Sequence, residues 1–284
     1  MKLLKFMFIN IFILLIACQS SDAPRQKGWL LIIGGAGRSD SAVNAFMQRA
    51  GDGKILVLTS ASGVPEKSGP EAVTLFRDAG AKNVEWLHIA GPDTANADTT
   101  LRHFQGVSAV YITGGVQSRF MDRIGGTKTE QQIKKIYFEE KGIIAGTSAG
   151  AAIMSEIMIT GDGDFAVLDK DNIVTAPGLG LLENCIIVQH FVARQRNNRL
   201  LSKVIETGLP GIGIDETTAI LVEPDDTFTV FGPNSIMVYD PRPGKILKAH
   251  KTKLSATGIR LSVLVDGQRF DLKDGTLIST PQLQ

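Results

Sequence analysis

Five short apolar runs, each followed by a turn or a stretch of helical period, organise the first half of the chain. Trp29–Ile33 leads into Gly34-Gly35-Ala36-Gly37 and a helical pattern over residues 39–50. Runs at 54–59 and 84–89 are followed by helical patterns at 66–79 and 94–104. A fourth run, 109–112, ends in Thr113-Gly114-Gly115, and a helical stretch at 130–140 leads to the fifth, 142–145. Continuous apolar strands separated by amphipathic helices predict a parallel sheet buried on both faces, with right-handed crossovers. The pattern changes after residue 152. A glycine-containing loop at 174–182 precedes an apolar strand at 185–189, a helix at 194–206 and short strands at 211–214 and 219–222. From residue 225 the chain reads mostly as β, and 261–272 alternates around Asp266-Gly267, which predicts a hairpin. The expected fold class is α/β: a mainly parallel sheet flanked by helices, with a β-rich C-terminal part, in one domain over 28–284.

The first 20 residues follow another rule. Lys2 and Lys5 precede a nearly all-apolar run at 6–16, too short to span a bilayer, and polar sequence follows. The run ends Leu15-Ile16-Ala17-Cys18, which resembles the lipobox of bacterial lipoproteins. The reading is a signal peptide over 1–17, lipid on Cys18, and a polar tether over 18–27 that contains Pro24. The expected location is the bacterial cell envelope, lipid-anchored after secretion. With Cys18 lipidated, Cys185, the other of two cysteines, has no intrachain partner and reads as a buried small hydrophobe.

Composition then narrows the function classes. The 284 residues, 43% of them hydrophobic, can bury a sizeable core. Thirty basic and 29 acidic side chains nearly cancel, and no lysine-rich block stands out, so no nucleic-acid partner is expected. No histidine–cysteine cluster has metal spacing, and neither metal nor cofactor is expected. Gly34, Gly35 and Gly37 resemble half a dinucleotide fingerprint. Asp40 stands where the third glycine would, and Thr59 rather than an acid ends the second strand, so a nucleotide site is not inferred.

The strongest chemical signal is Gly146-Thr147-Ser148-Ala149-Gly150. A strand enters this turn and helical sequence leaves it, which would expose the Ser148 hydroxyl at a strand's carboxyl end beside a helix N-terminus. The Ala149 N–H would donate to an oxyanion, and Gly115 is the best second donor because glycine lets backbone approach a substrate closely. A serine nucleophile needs a base. Of four histidines, His88, His103 and His250 lie in or beside a strand, in a helical pattern and in a polar stretch, whereas His190 ends the strand at 185–189. It is placed at the sheet edge where ligands bind in open α/β folds. Asp215 and Glu216 end the next strand at the same edge, and either could orient the imidazole. Arg194, Arg196 and Arg199, read as opening the following helix, suit a carboxylate-bearing substrate.

Three stretches taken together resemble the cyanophycinases, which group with aspartyl dipeptidases in one serine-peptidase family. They are Gly146-Thr147-Ser148-Ala149-Gly150-Ala151; Gln189-His190-Phe191 with Arg194, Arg196, Arg199 and Leu200; and Gly211-Ile212-Gly213-Ile214-Asp215-Glu216. The resemblance runs from about Gly28 to Tyr239. It implies a class I glutamine amidotransferase-like fold with serine in place of the cysteine nucleophile. It also implies a triad of Ser148, His190 and Glu216, with Gln117, Gln189 and the three arginines near the substrate. Val116 and Val188 stand where the family usually carries aspartate, so two acids that could hold a cationic arginine group are missing. The expected activity is serine exopeptidase hydrolysis of aspartyl or β-aspartyl bonds. Beside it stand an inactive envelope-binding lipoprotein and an esterase or amidase on the same framework. The expected partners are a peptide containing aspartyl residues and the membrane through Cys18, with a homodimer among the assemblies open to the chain.

Overall fold

The apolar runs become the strands they predict, but the strands divide between two sheets. The computed structural model describes residues 27–281, with backbone alone at 248–250. The signal segment, Cys18 and the tether up to residue 26 lie outside the described residues. The first half comprises β1 (Trp29–Ile33), α1 (Asp40–Ala50), β2 (Lys54–Leu58), α2 (Pro65–Asp78), β3 (Val84–Leu87), α3 (Pro92–Asn96), α4 (Asp98–Arg102), β4 (Val107–Ile112), α5 (Gln117–Ile124), α6 (Lys128–Phe138), β5 (Ile143–Thr147) and α7 (Ala149–Ala152). The second comprises β6 (Ile157–Ile159), β7 (Thr175–Pro177), β8 (Ile186–Gln189), α8 (Asn197–Thr207), β9 (Gly211–Ile214), β10 (Ala219–Val222), β11 (Thr227–Phe231), β12 (Ile236–Asp240), β13 (Lys245–His250), β14 (Lys253–Thr257), β15 (Arg260–Leu264), β16 (Arg269–Asp271) and β17 (Thr276–Ser279).

The main sheet has the order β17-β16-β11-β10-β1-β5-β4-β2-β3. Its β1, β5, β4, β2 and β3 run parallel, and β10, β11, β16 and β17 continue it antiparallel. The second sheet has the order β15-β12-β9-β8, with only β8 and β9 parallel. One face of the main sheet packs under α1 and α2, where Phe46, Phe76 and Tyr111 meet in tilted and edge-on ring contacts. The other face shares a single apolar cluster with the second sheet, joining Leu30, Ile32 and Ile144 to Ile187, Ile212, Ile236 and Leu264. Local signals place the helix starts. The Ser39 hydroxyl caps α1 by accepting from the Ala42 N–H, and Thr127 caps α6 by accepting from the Glu130 N–H. The Glu130 carboxylate reaches back to the Gly126 N–H, a reciprocal arrangement close to a capping box.

Four expectations are corrected. The helix at 94–104 is two short ones, broken where Ala97 takes an extended conformation. The helix at 194–206 begins only at Asn197, because Gln195 adopts a left-handed φ of 49°. The stretch 261–272 is not a hairpin: β15 pairs with β12 in the second sheet, and β16 with β11 in the main one. The Asp266-Gly267 turn therefore carries the chain between sheets. Finally, β8 and β9 do not extend the sheet that holds Ser148.

Candidate active site

Ser148 follows β5 directly, with φ 54° and ψ −110°, a strained conformation for a non-glycine residue. The two glycines of its turn are sterically required. A Cβ on Gly146 would stand 2.2 Å from the Gly150 carbonyl oxygen, and one on Gly150 would stand 2.3 Å from that of Ile112. The Ser148 N–H donates to the Ile33 carbonyl at 3.0 Å, which fixes the turn to the end of β1.

His190 reaches this turn from the second sheet. It also has a positive φ, 51°, and its N–H donates to the Gly34 carbonyl at 2.9 Å. Its imidazole lies on Gly35, where a Cβ would come within 2.4 Å of Cε1. A Cβ on Gly34 would collide with the Asp215 carbonyl oxygen at 2.0 Å. These glycines make room for His190 and the chain after β9.

The His190 Nε2 lies 2.8 Å from Ser148 Oγ, and its Nδ1 lies 2.6 Å from Glu216 Oε1. A carboxylate only accepts, so Nδ1 carries the proton and Nε2 accepts from the serine hydroxyl. Asp215 has a different task. Its Oδ1 accepts from the Val192 and Ala193 N–H groups at 3.1 and 3.0 Å and braces the turn after His190. Of the pair left open by spacing, Glu216 contacts the ring and Asp215 the loop. Burial pushes the His190 pKa below the usual histidine value, and the charges of Arg194 and Arg196 act in the same direction against the opposing pull of Glu216.

The Gly114-Gly115 turn abuts the serine. A Cβ on Gly114 would lie 3.3 Å from Ser148 Cβ, and one on Gly115 would strike the Ala61 carbonyl oxygen at 2.0 Å. Among the described residues, neither the Gly115 nor the Ala149 N–H donates to a protein acceptor, which leaves both available to an oxyanion.

The predicted substrate residues fall into two groups. Gln117 is buried, and its Nε2 donates to the Ile159 and Thr160 carbonyls at 2.9 and 2.7 Å, so its amide hydrogens tie α5 to the end of β6. Gln189 is buried too, and its backbone carbonyl accepts from Arg196 Nη1 at 2.8 Å. Arg194 and Arg196 lie near the His190–Glu216 pair, and Arg199 lies near them in turn. Arg194 is half-exposed with Nε 3.8 Å from Glu216 Oε1. Burial and the nearby Arg199 and Arg194 charges depress the Arg196 pKa to about 10. Arg199, on α8, is only 6% exposed, and its Nε is buried with no partner among the described residues.

Phe165, not singled out in the sequence, packs its ring against the Arg199 guanidinium, 3.9 Å from ring centroid to Cζ. A lone aromatic in the glycine- and aspartate-rich stretch 160–172 was the available signal. Arg38 and Tyr111 were also unread: Arg38 Nη1 donates to the Tyr111 hydroxyl at 2.7 Å, and Tyr111 is buried. His88 and His103 are engaged elsewhere, with Thr59 and Glu85. Cys185 is free and buried, its thiol pushed up to about 12 by burial. Among the described residues no cluster of three potential ligands could hold a metal ion.

The model of peptidase family S51 matches residues 30–230. The chain belongs to peptidase family S51. It is 34% identical over 258 residues to a cyanophycinase of Synechococcus elongatus, covering 87% of this chain and 80% of the relative. It is 33% identical over 264 residues to a cyanophycinase of Trichormus variabilis, covering 89% and 88%. Among solved structures, a peptidase from an acI-B1 actinobacterium shares the fold at TM-score 0.61 and 17% identity, over 87% of this chain and 98% of that one. A putative peptidase E from Listeria monocytogenes EGD-e shares it at TM-score 0.54 and 16% identity, over 73% and 100%. This S51 member is a serine-type peptidase with the peptidase E-like fold, and its substrate is a peptide.

Proposed function

We propose that the protein is a serine exopeptidase that cleaves aspartyl or β-aspartyl bonds, with Ser148 as nucleophile, His190 as base and Glu216 as its orienting acid. The observation that carries this reading is the unbroken relay from Ser148 Oγ through both ring nitrogens to Glu216, at 2.8 and 2.6 Å. Ser148 Oγ attacks the scissile carbonyl carbon as its proton passes to His190 Nε2. The Gly115 and Ala149 N–H groups receive the charge on the carbonyl oxygen. Collapse breaks the bond to the amine, which takes the proton from Nε2. Water then repeats the sequence on the acyl-enzyme and releases the acid.

Arg194, Arg196 and Arg199 supply positive charge on one side of the relay and suit a free carboxylate on the aspartyl group. The two valines supply no negative charge for the leaving-group side. Val116 is exposed beside Gly115, and Val188 is buried in the cluster of Leu200 and Val204. Neither presents a carboxylate to a cationic amine, so β-aspartyl dipeptides with neutral leaving residues are the expected substrates alongside those with arginine.

The test is Ser148→Ala. Hydrolysis of a β-aspartyl dipeptide should fall by at least about 10³-fold while the melting temperature stays near that of the wild type. A serine-directed fluorophosphonate should label the wild type and not the variant. Wild-type turnover in Ser148→Ala would overturn the assignment.

A further inference from the structure

Arg199 is held under conditions that ordinarily drive a guanidinium out of a protein. It is buried. It stands in the first turn of α8, where the helix dipole opposes a cation. Arg194 and burial both press its pKa below the usual arginine value, and Asp162, which alone opposes them, is itself exposed and accepts from the Thr160 hydroxyl. Its Nε has no partner among the described residues. The feature that compensates is Phe165, whose ring lies 3.9 Å from Cζ.

Phe165 is itself clamped to the same helix. Its carbonyl accepts from Asn198 Nδ2 at 3.2 Å, and its ring packs against the apolar cluster of Phe191, Leu200 and Val204. The segment that carries it is closed by the Asp164 N–H donating to Asn172 Oδ1 at 3.0 Å and by Asn172 Nδ2 donating to the Asp164 carbonyl at 2.5 Å. At its start it is tied to Gln117 through the Thr160 carbonyl. A buried cation with an unpartnered Nε–H, and an aromatic ring held against its Cζ, form half of a binding site: the guanidinium is held and an acceptor for it is missing.

We infer that Phe165 is a positioning residue for the substrate, setting the Arg199 guanidinium so that a carboxylate of the peptide can enter its plane. The inference rests on the reading of the arginines as the carboxylate-receiving side of the site. It is tested by binding rather than turnover, so that the two can fail separately. L-aspartate is titrated calorimetrically into the wild type, Phe165→Leu, Phe165→Tyr, Arg199→Lys and the Phe165→Leu/Arg199→Lys double variant. Aspartate should bind the wild type and its diamide should not. Phe165→Leu should weaken aspartate about fivefold or more, and Phe165→Tyr less than about twofold. In the Arg199→Lys background Phe165→Leu should cost nothing further, a coupling that a merely structural role would not produce. Equal binding by wild type and Phe165→Leu, an undiminished effect in the Arg199→Lys background, or no binding of aspartate by the wild type would each overturn the inference. Fluorophosphonate labelling of wild-type Ser148 reports separately on the peptidase reading.

Discussion

In the proposed triad His190 should carry the main pH dependence, because an imidazole can accept the serine proton only when neutral. Burial and the charges of Arg194 and Arg196 hold its pKa below the usual value of about 6.5, and Glu216 only partly offsets them. A depressed histidine pKa keeps the base form to lower pH. The acid limb of kcat/KM should therefore fall below the ordinary histidine range. Arg194→Gln removes one of the opposing cations, so the limb should move to higher pH; a limb that stays or moves down would count against this account. Ser148 and His190 were legible in the sequence because each ends an apolar strand, and a strand's carboxyl end is where such a fold exposes side chains. The choice between Asp215 and Glu216 was not. They are adjacent at one strand end, and only tertiary contacts separate them, Glu216 with the His190 ring and Asp215 with the Val192 and Ala193 N–H groups. Only the resemblance to a family pointed to Glu216.

At the scale of elements, one buried carboxylate latches the second sheet to the main one. Asp240, at the end of β12, is 1% exposed and accepts from Arg242 Nε at 2.8 Å and Arg260 Nη2 at 2.6 Å. The same arginines donate to the carbonyls of Leu272, Lys273 and Asp274, between β16 and β17 of the main sheet. Burial raises the Asp240 pKa, but the hydrogen bonds from Arg242 and Arg260 outweigh it and hold the carboxyl below its ordinary value. A carboxyl depressed in the folded state stabilises above its unfolded pKa, and that stabilisation is lost as pH falls through the folded one. Asp240→Asn should cost about 2–4 kcal/mol at pH 7 by urea unfolding, toward the low end because both arginines retain access to water. Its deficit relative to the wild type should shrink near pH 3. A constant deficit would show that the latch is not ionic. This connection also explains the misread stretch at 261–272. Alternation and an Asp-Gly turn specify two strands and a reversal, but not which neighbours the strands choose. Here Phe270 packs on Phe228, ring centroids 5.4 Å apart, while Leu264 lies opposite Ile236. Each arm finds its partner in a different sheet, and nothing local records that.

For the whole molecule, the division into two sheets raises the question of whether they unfold apart. The site lies on their seam. Ser148 comes from β5 of the main sheet, and His190 and Glu216 follow β8 and β9 of the other. Backbone hydrogen bonds tie the chain leaving the second sheet to the end of β1: His190 N–H donates to Gly34 and Thr217 N–H to Gly35. Beneath it, Ile187, Ile212, Ile236 and Leu264 are at most 3% exposed and belong to the cluster that holds Leu30 and Ile144. Peeling off the second sheet would expose those side chains, at about 1.5–3 kcal/mol each. Four of them together cost about as much as the whole stability of an ordinary domain. The two sheets should therefore melt as one unit. The chain's two tryptophans, Trp29 and Trp86, lie in β1 and β3, so their fluorescence reports the main sheet alone. On the proposed mechanism, labelling of Ser148 needs His190 and thus the seam. Along a urea titration the two signals should be lost at the same midpoint. Labelling that disappears well before the tryptophan signal changes would mean that the second sheet is a separately folding lobe, with its own stability governing the nucleophile.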